Sequence, residues 1–119
     1  MITRTKSKRT IYISGPMEGK PNNNFAAFEE AEEMLKGMGY EVINPAKLAV
    51  DSNFIITNTP NRQDYYRKDV RALSYCTDIF MLKDWNLSHG AKFERYVALE
   101  IGVKIHYFGE VESGVLRER

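Results

Sequence analysis

Two carboxylates sit where a solvated acid is not expected. In the segment after Trp85, the residues Ala91, Glu94, Ala98 and Ile101 fall at i, i+3, i+7 and i+10, the spacing of one helical face. Three of the four are small or apolar, so the face is expected to look inward and to carry Glu94 with it, one turn into the helix. In the segment from Asn61 to Cys76, Tyr66, Asp69, Val70 and Leu73 follow i, i+3, i+4 and i+7, while Arg67, Lys68 and Arg71 lie off that stripe. An inward carboxylate is costly unless it is paired or used. Either acid alone reads as a boundary residue with a salt bridge. Two of them, on the helices flanking one expected strand, read as equipment for cleaving a glycosidic bond, one as nucleophile and one as acid or base.

Other residues could support such chemistry, each with a plainer reading beside it. The loop of Gly15, Pro16, Met17, Glu18 and Gly19 could bring backbone close to a sugar or phosphate, or be a simple turn. It matches neither the dinucleotide nor the triphosphate glycine pattern. Ser88 is placed to cap a helix, and a helix N-terminus is also a natural phosphate seat. Trp85 could stack on a base or close the top of the core. The Tyr12 hydroxyl could orient Glu94, or Tyr12 could be a buried strand tyrosine. Ser88 and His89 are adjacent, which does not provide triad geometry. His89 and His106 are far apart and Cys76 is the only cysteine, so metal-ligand spacing and an internal disulfide are both absent. No metal or organic cofactor is implied. A lone cysteine, expected as a small buried hydrophobe, suits a reducing cytoplasm.

The elements that must position these residues follow from pattern. A chain of 119 residues, 43% hydrophobic and 28% charged, is expected to form one globular domain. A formal net charge of +1 gives no strong field toward nucleic acid or membrane. The basic run up to Arg9 reads as a solvated, disordered tail, with phosphate contact as the alternative. No apolar run approaches a membrane span and no signal-peptide pattern appears. Strands are expected at Thr10 to Ser14, Tyr40 to Ile43, Asp78 to Leu82 and Lys104 to Phe108. Helices are expected from Phe25 to Met38, capped from Asn22 to Asn24, from Arg62 to Tyr75, and from Ser88 to Gly102. Residues 46–60 read as a long loop, lid or disordered, and residues 109–119 as a polar tail without firm structure. Alternation of strands and helices predicts an α/β, Rossmann-like three-layer fold with a small parallel sheet of four to five strands. In such folds ligands bind beyond the carboxyl ends of the strands, where the Gly15, Ala46 and Trp85 loops would gather.

Four elements carry a resemblance: Ile11 to Pro16, Gly39 to Pro45, Asp69, and the set Ser88, Gly90, Glu94 and Ala98. Together, over roughly residues 10–108, they resemble the nucleoside 2-deoxyribosyltransferase superfamily, and most of all its short phage and prophage members. The resemblance implies a flavodoxin-like fold and a Glu nucleophile that displaces the base from the anomeric carbon. Glu94 matches that nucleophile, Asp69 the carboxylate assisting the leaving base, and Tyr12 a tyrosine beside the nucleophile. Gly15 to Gly19 match the loop around the sugar, and with Pro16, Met17, Trp85, Ser88 and Gly90 they are the expected substrate-binding positions. Classical transferases carry an acid six positions before the nucleophile; this chain carries Ser88 there, as 2′-deoxynucleoside 5′-monophosphate N-hydrolases do. A hydroxyl at a helix N-terminus accepts a phosphate that a carboxylate would repel. Those hydrolases also place a basic residue in the first loop, where this chain has Glu18 flanked by Lys20. The expected activity is hydrolysis of the N-glycosidic bond of (deoxy)nucleoside 5′-monophosphates or deoxynucleosides. Base exchange between nucleosides and a non-catalytic nucleotide-binding module are the alternatives. The resemblance further implies a homo-oligomer, and the stretch from Glu112 to Leu116 is similar to a hydrolase tail that reaches a neighbouring subunit.

Overall fold

β-rich, largely apolar segments form β1 (Thr10–Ser14), β2 (Glu41–Ile43), β3 (Asp78–Met81) and β4 (Lys104–Tyr107). All four pair in parallel in the order β2-β1-β3-β4. The computed structural model describes residues 9–48, 61–112 and 115–116. β1 and β3 are central, and both are buried almost throughout, as strands covered on two faces must be. Helix α1 (Phe25–Gly37) lays Phe28, Ala31 and Leu35 over Ile11, Ile13 and Phe80. Helices α2 (Arg62–Ser74) and α3 (His89–Ile101) cover the opposite face, where Leu73, Ala91 and Ala98 meet Tyr12, Ile79 and Met81. The result is the expected three-layer α/β fold, and Cys76 is buried in its second cluster. Among the described residues, no helix is long and apolar enough to cross a membrane.

Local chemistry explains the helix starts. Ser88 caps α3, its Oγ accepting from Ala91 N at 3.2 Å, and Gly102 closes the helix at φ +78°. Asn61 and Asp64 form a reciprocal capping box on α2, each side chain accepting the other's backbone N–H at 2.9 Å. The asparagines before α1 behave differently from expectation. Asn22, Asn23 and Asn24 hold φ of +48°, +52° and +63°, and Asn24 makes no side-chain cap. Its Nδ2 donates instead to Pro16 O at 2.8 Å, pinning the loop after β1. Asparagine tolerates this left-handed geometry, which here reverses the chain.

Several other expectations shift. Ile101 is 50% exposed. Ten residues at 3.6 per turn leave it about 80° from Ala91, at the edge of the buried stripe. On α2 only Leu73 of the four stripe residues is fully buried, and Lys68 faces inward with Asp69. Arg9, the last residue of the basic run, is not part of a solvated tail, since its guanidinium pairs with buried Asp78; residues 1–8 lie outside the described residues, as do 49–60. In the C-terminal stretch two short strands, β5 (Val111–Glu112) and β6 (Val115–Leu116), pair antiparallel. Leu116 and Val111 pack on the α1-side core of their own chain, which accounts for part of the stretch expected to reach a neighbour.

Candidate active site

Period-two alternation on β1 puts Tyr12 and Ser14 on the same face of the sheet, under α3. Glu94, one turn and a half into α3, descends onto that face and is 8% exposed. The Tyr12 hydroxyl donates to Glu94 Oε2 at 2.8 Å, and the Ser14 hydroxyl donates to Oε1 at 2.5 Å. Both oxygens of the carboxylate are therefore held, and its position is determined by a central strand and a helix at once. Ser14 was not singled out from sequence, although its spacing from Tyr12 was the available signal.

Asp69 reaches the same place from the middle of α2. The two acids line one cleft, and each alters the ionisation of the other. Burial pushes the Glu94 carboxyl well above the usual range, and the Asp69 charge adds to that; the bonds from Ser14 and Tyr12 oppose it. Burial likewise raises Asp69, against the pull of Lys68. Burial and the Glu94 charge raise the Tyr12 phenol, which keeps its proton and stays a donor. Lys68 Nζ stands 3.3 Å from Asp69 Oδ1, an ion pair without hydrogen-bond geometry, since that oxygen has no hydrogen-bond partner among the described residues. The same ammonium donates to Pro45 O at 3.1 Å and Leu48 O at 3.2 Å.

These acids form one wall of a cleft of about 1180 Å³, large enough for a nucleotide. Gly15, Pro16, Met17 and Gly19 line it from the loop after β1, Pro45 and Leu48 from the turn after β2, and Ser88 and Gly90 from the start of α3. The cleft thus lies at the carboxyl ends of β1 and β3, where connections leave the sheet in opposite directions. Two expected contributions differ. Gly15 is small because its backbone presses on Leu82: a Cβ there would stand 2.7 Å from Leu82 Cβ. Trp85 does not line the cleft. Its ring packs on Tyr107, 5.6 Å between centroids, with the Arg95 guanidinium 5.1 Å above it, so it closes the core instead. His89, unassigned from sequence, lines the cleft and shares a 2.8 Å hydrogen bond with the Tyr66 hydroxyl.

A family model described as Domain of unknown function (DUF4406) matches residues 9–107. No curated relative matches the chain. Among solved structures, one similar fold is a 2-deoxyribosyltransferase of the psychrotolerant bacterium Bacillus psychrosaccharolyticus. It has 14% identity and a TM-score of 0.61 over 82% of this chain and 70% of that one. Another is a 2-deoxyribosyltransferase of Leishmania mexicana, with 20% identity and a TM-score of 0.62 over 93% of this chain and 79% of that one. At such identities the likeness establishes the fold, which is nucleoside 2-deoxyribosyltransferase-like and flavodoxin-like.

Proposed function

The chain belongs to the DUF4406 family, and we propose that it breaks the N-glycosidic bond of a nucleoside or nucleotide through a covalent intermediate on Glu94. One observation carries the reading: Glu94 is buried beside a second carboxyl, with both of its oxygens held by hydroxyl donors. Asp78, a structural acid, is paired with the Arg9 guanidinium. Glu94 has a second acid as its neighbour instead, an arrangement that suits a nucleophile, whose carboxylate must be aimed at its target in a dry site.

The competent form of the pair carries one proton. At rest, burial of Glu94 and the Lys68 charge beside Asp69 favour the proton on Glu94. In the reactive form that proton has passed to Asp69, and Glu94 is the carboxylate, its charge stabilised by Tyr12 and Ser14. Glu94 attacks the anomeric carbon as the bond to the base breaks, and the departing nitrogen takes the Asp69 proton. The glycosyl ester on Glu94 is then opened by water, which gives its proton to Asp69, or by a second base. Ser88, Gly90 and the loop of Gly15, Pro16, Met17 and Gly19 hold the sugar and its 5′ end. Two of these groups, Ser88 Oγ and the opening N–H groups of α3, suit a 5′-phosphate, so hydrolysis of a deoxynucleoside 5′-monophosphate is the favoured form.

Base exchange is the second reading, and the fold shared with two 2-deoxyribosyltransferases favours it. Chromatography after incubation with each common nucleoside and 5′-monophosphate, with and without adenine, separates the two. Free base from a monophosphate supports hydrolysis. A new nucleoside formed with adenine supports exchange. No product from any substrate, alongside a nucleotide-dependent rise in Tm, would instead indicate a binding module.

A further inference from the structure

Lys68 takes no part in the chemistry above, yet its side chain is only 11% exposed and its ammonium stands 3.3 Å from Asp69 Oδ1. We propose that Lys68 is a positioning residue that holds the Glu94–Asp69 pair at one proton, and so at one negative charge, by balancing that charge inside the cleft wall. The proposal rests on the glycosidic reading only for its catalytic consequence; the charge balance stands on geometry.

With one shared proton, Glu94, Asp69 and Lys68 sum to zero charge, the cheapest state for a buried trio. Two carbonyls fix the ammonium there: Pro45 O and Leu48 O accept from Nζ at 3.1 and 3.2 Å, so the cation cannot swing to solvent without breaking both bonds. Among the described residues, the titratable groups facing the pair are Tyr12 from β1, Asp69 and Lys68 from α2, and Glu94 from α3. Glu18, Arg62, Tyr65, Tyr66 and His89 also line the cleft, and none of them shifts the ionisation of Asp69 or Glu94. Tyr12 stays neutral, which leaves Lys68 as the cation in contact. Without it the pair would take a second proton, and a doubly protonated pair contains no nucleophile.

Carbon-13 NMR of labelled Asp and Glu carboxyls, followed against pH, tests this in the intact chain without substrate. Lys68→Gln keeps a donor for the two carbonyls and removes the charge. The first ionisation of the pair should then rise by about one pH unit or more, a tenfold gain in proton affinity. Lys68→Arg should titrate as the wild type does. Unchanged titration in Lys68→Gln would overturn the proposal. If that variant does not fold, wild-type nitrogen-15 spectra of Lys68 Nζ decide: an ammonium persisting throughout the pair's titration supports it, and loss of the proton within that range overturns it. Where turnover is measurable, the acid limb of the pH–rate profile should move up in Lys68→Gln and be restored by Lys68→Arg. Absence of turnover in the wild type would count against the glycosidic reading alone.

Discussion

At the scale of single residues, the decisive fact is that Glu94 and Asp69 share one environment. Their ionisations are those of a pair, so activity should follow a bell-shaped pH profile whose two limbs both belong to it. Glu94→Gln should abolish turnover and yet stabilise the protein at neutral and alkaline pH. The folded state binds this proton more tightly than the unfolded chain does, because burial raises the carboxyl. Stability is therefore fully present where the acid is protonated in both states, and it declines as pH rises from the ordinary carboxylate range through the elevated folded value. A neutral amide removes that decline. Thermal melts of wild type and variant across pH check it, and a variant less stable than wild type at every pH would contradict it. Asp69→Asn should lower turnover by about 10²–10⁴-fold, the usual worth of a general acid, read in single-turnover assays.

Element boundaries carry their own consequences. Ser88 both caps α3 and lines the cleft. Ser88→Ala should cost about 1 kcal/mol through the cap alone. If it also receives a 5′-phosphate, KM for a monophosphate should rise while KM for the parent nucleoside does not; equal changes in both would confine Ser88 to capping. Gly15→Ala should be poorly tolerated, since its Cβ would fall 2.7 Å from Leu82 Cβ and force β1 and β3 apart where the cleft begins. Denaturant unfolding measures the loss, and a wild-type midpoint would show that Leu82 can move aside. The sequence shows that a loop begins at Gly15. It does not show that the small residue answers a neighbouring strand, because Leu82 is distant along the chain.

Across the whole molecule, the two ends of the sheet do different work. The carboxyl ends hold the cleft. At the opposite end Asp78 is fully buried, with His106 Nε2 2.6 Å from Oδ2 and the Arg9 guanidinium on the same carboxylate. Burial pushes the Asp78 carboxyl up, but bonds from His106, Arg9 and Thr77 outweigh it and hold it down at about 2. Its contribution to stability is complete above the unfolded carboxylate range and is lost as pH falls toward about 2. Asp78→Asn should flatten stability against pH across that acid window and leave the pH–rate profile at the cleft unmoved. Acid unfolding by circular dichroism, paired with turnover, tests both.

Much of this was legible in one dimension, for a physical reason. Helical and strand periodicity is local, so the order of elements, the inward aim of Glu94 and Asp69, and the gathering of loops beyond the strand ends follow from side-chain spacing. What needed the tertiary structure depends on residues far apart in the chain. Tyr12 and Ser14 reach Glu94 across 82 and 80 positions. Trp85 lies beside the cleft in sequence but turns onto Tyr107, because a large ring gains more from burial than from standing in solvent. Lys68 reads as an outward cation, yet the turn after β2 supplies carbonyls that draw it in. Periodicity determines which face a side chain takes; only packing determines which partner it meets there.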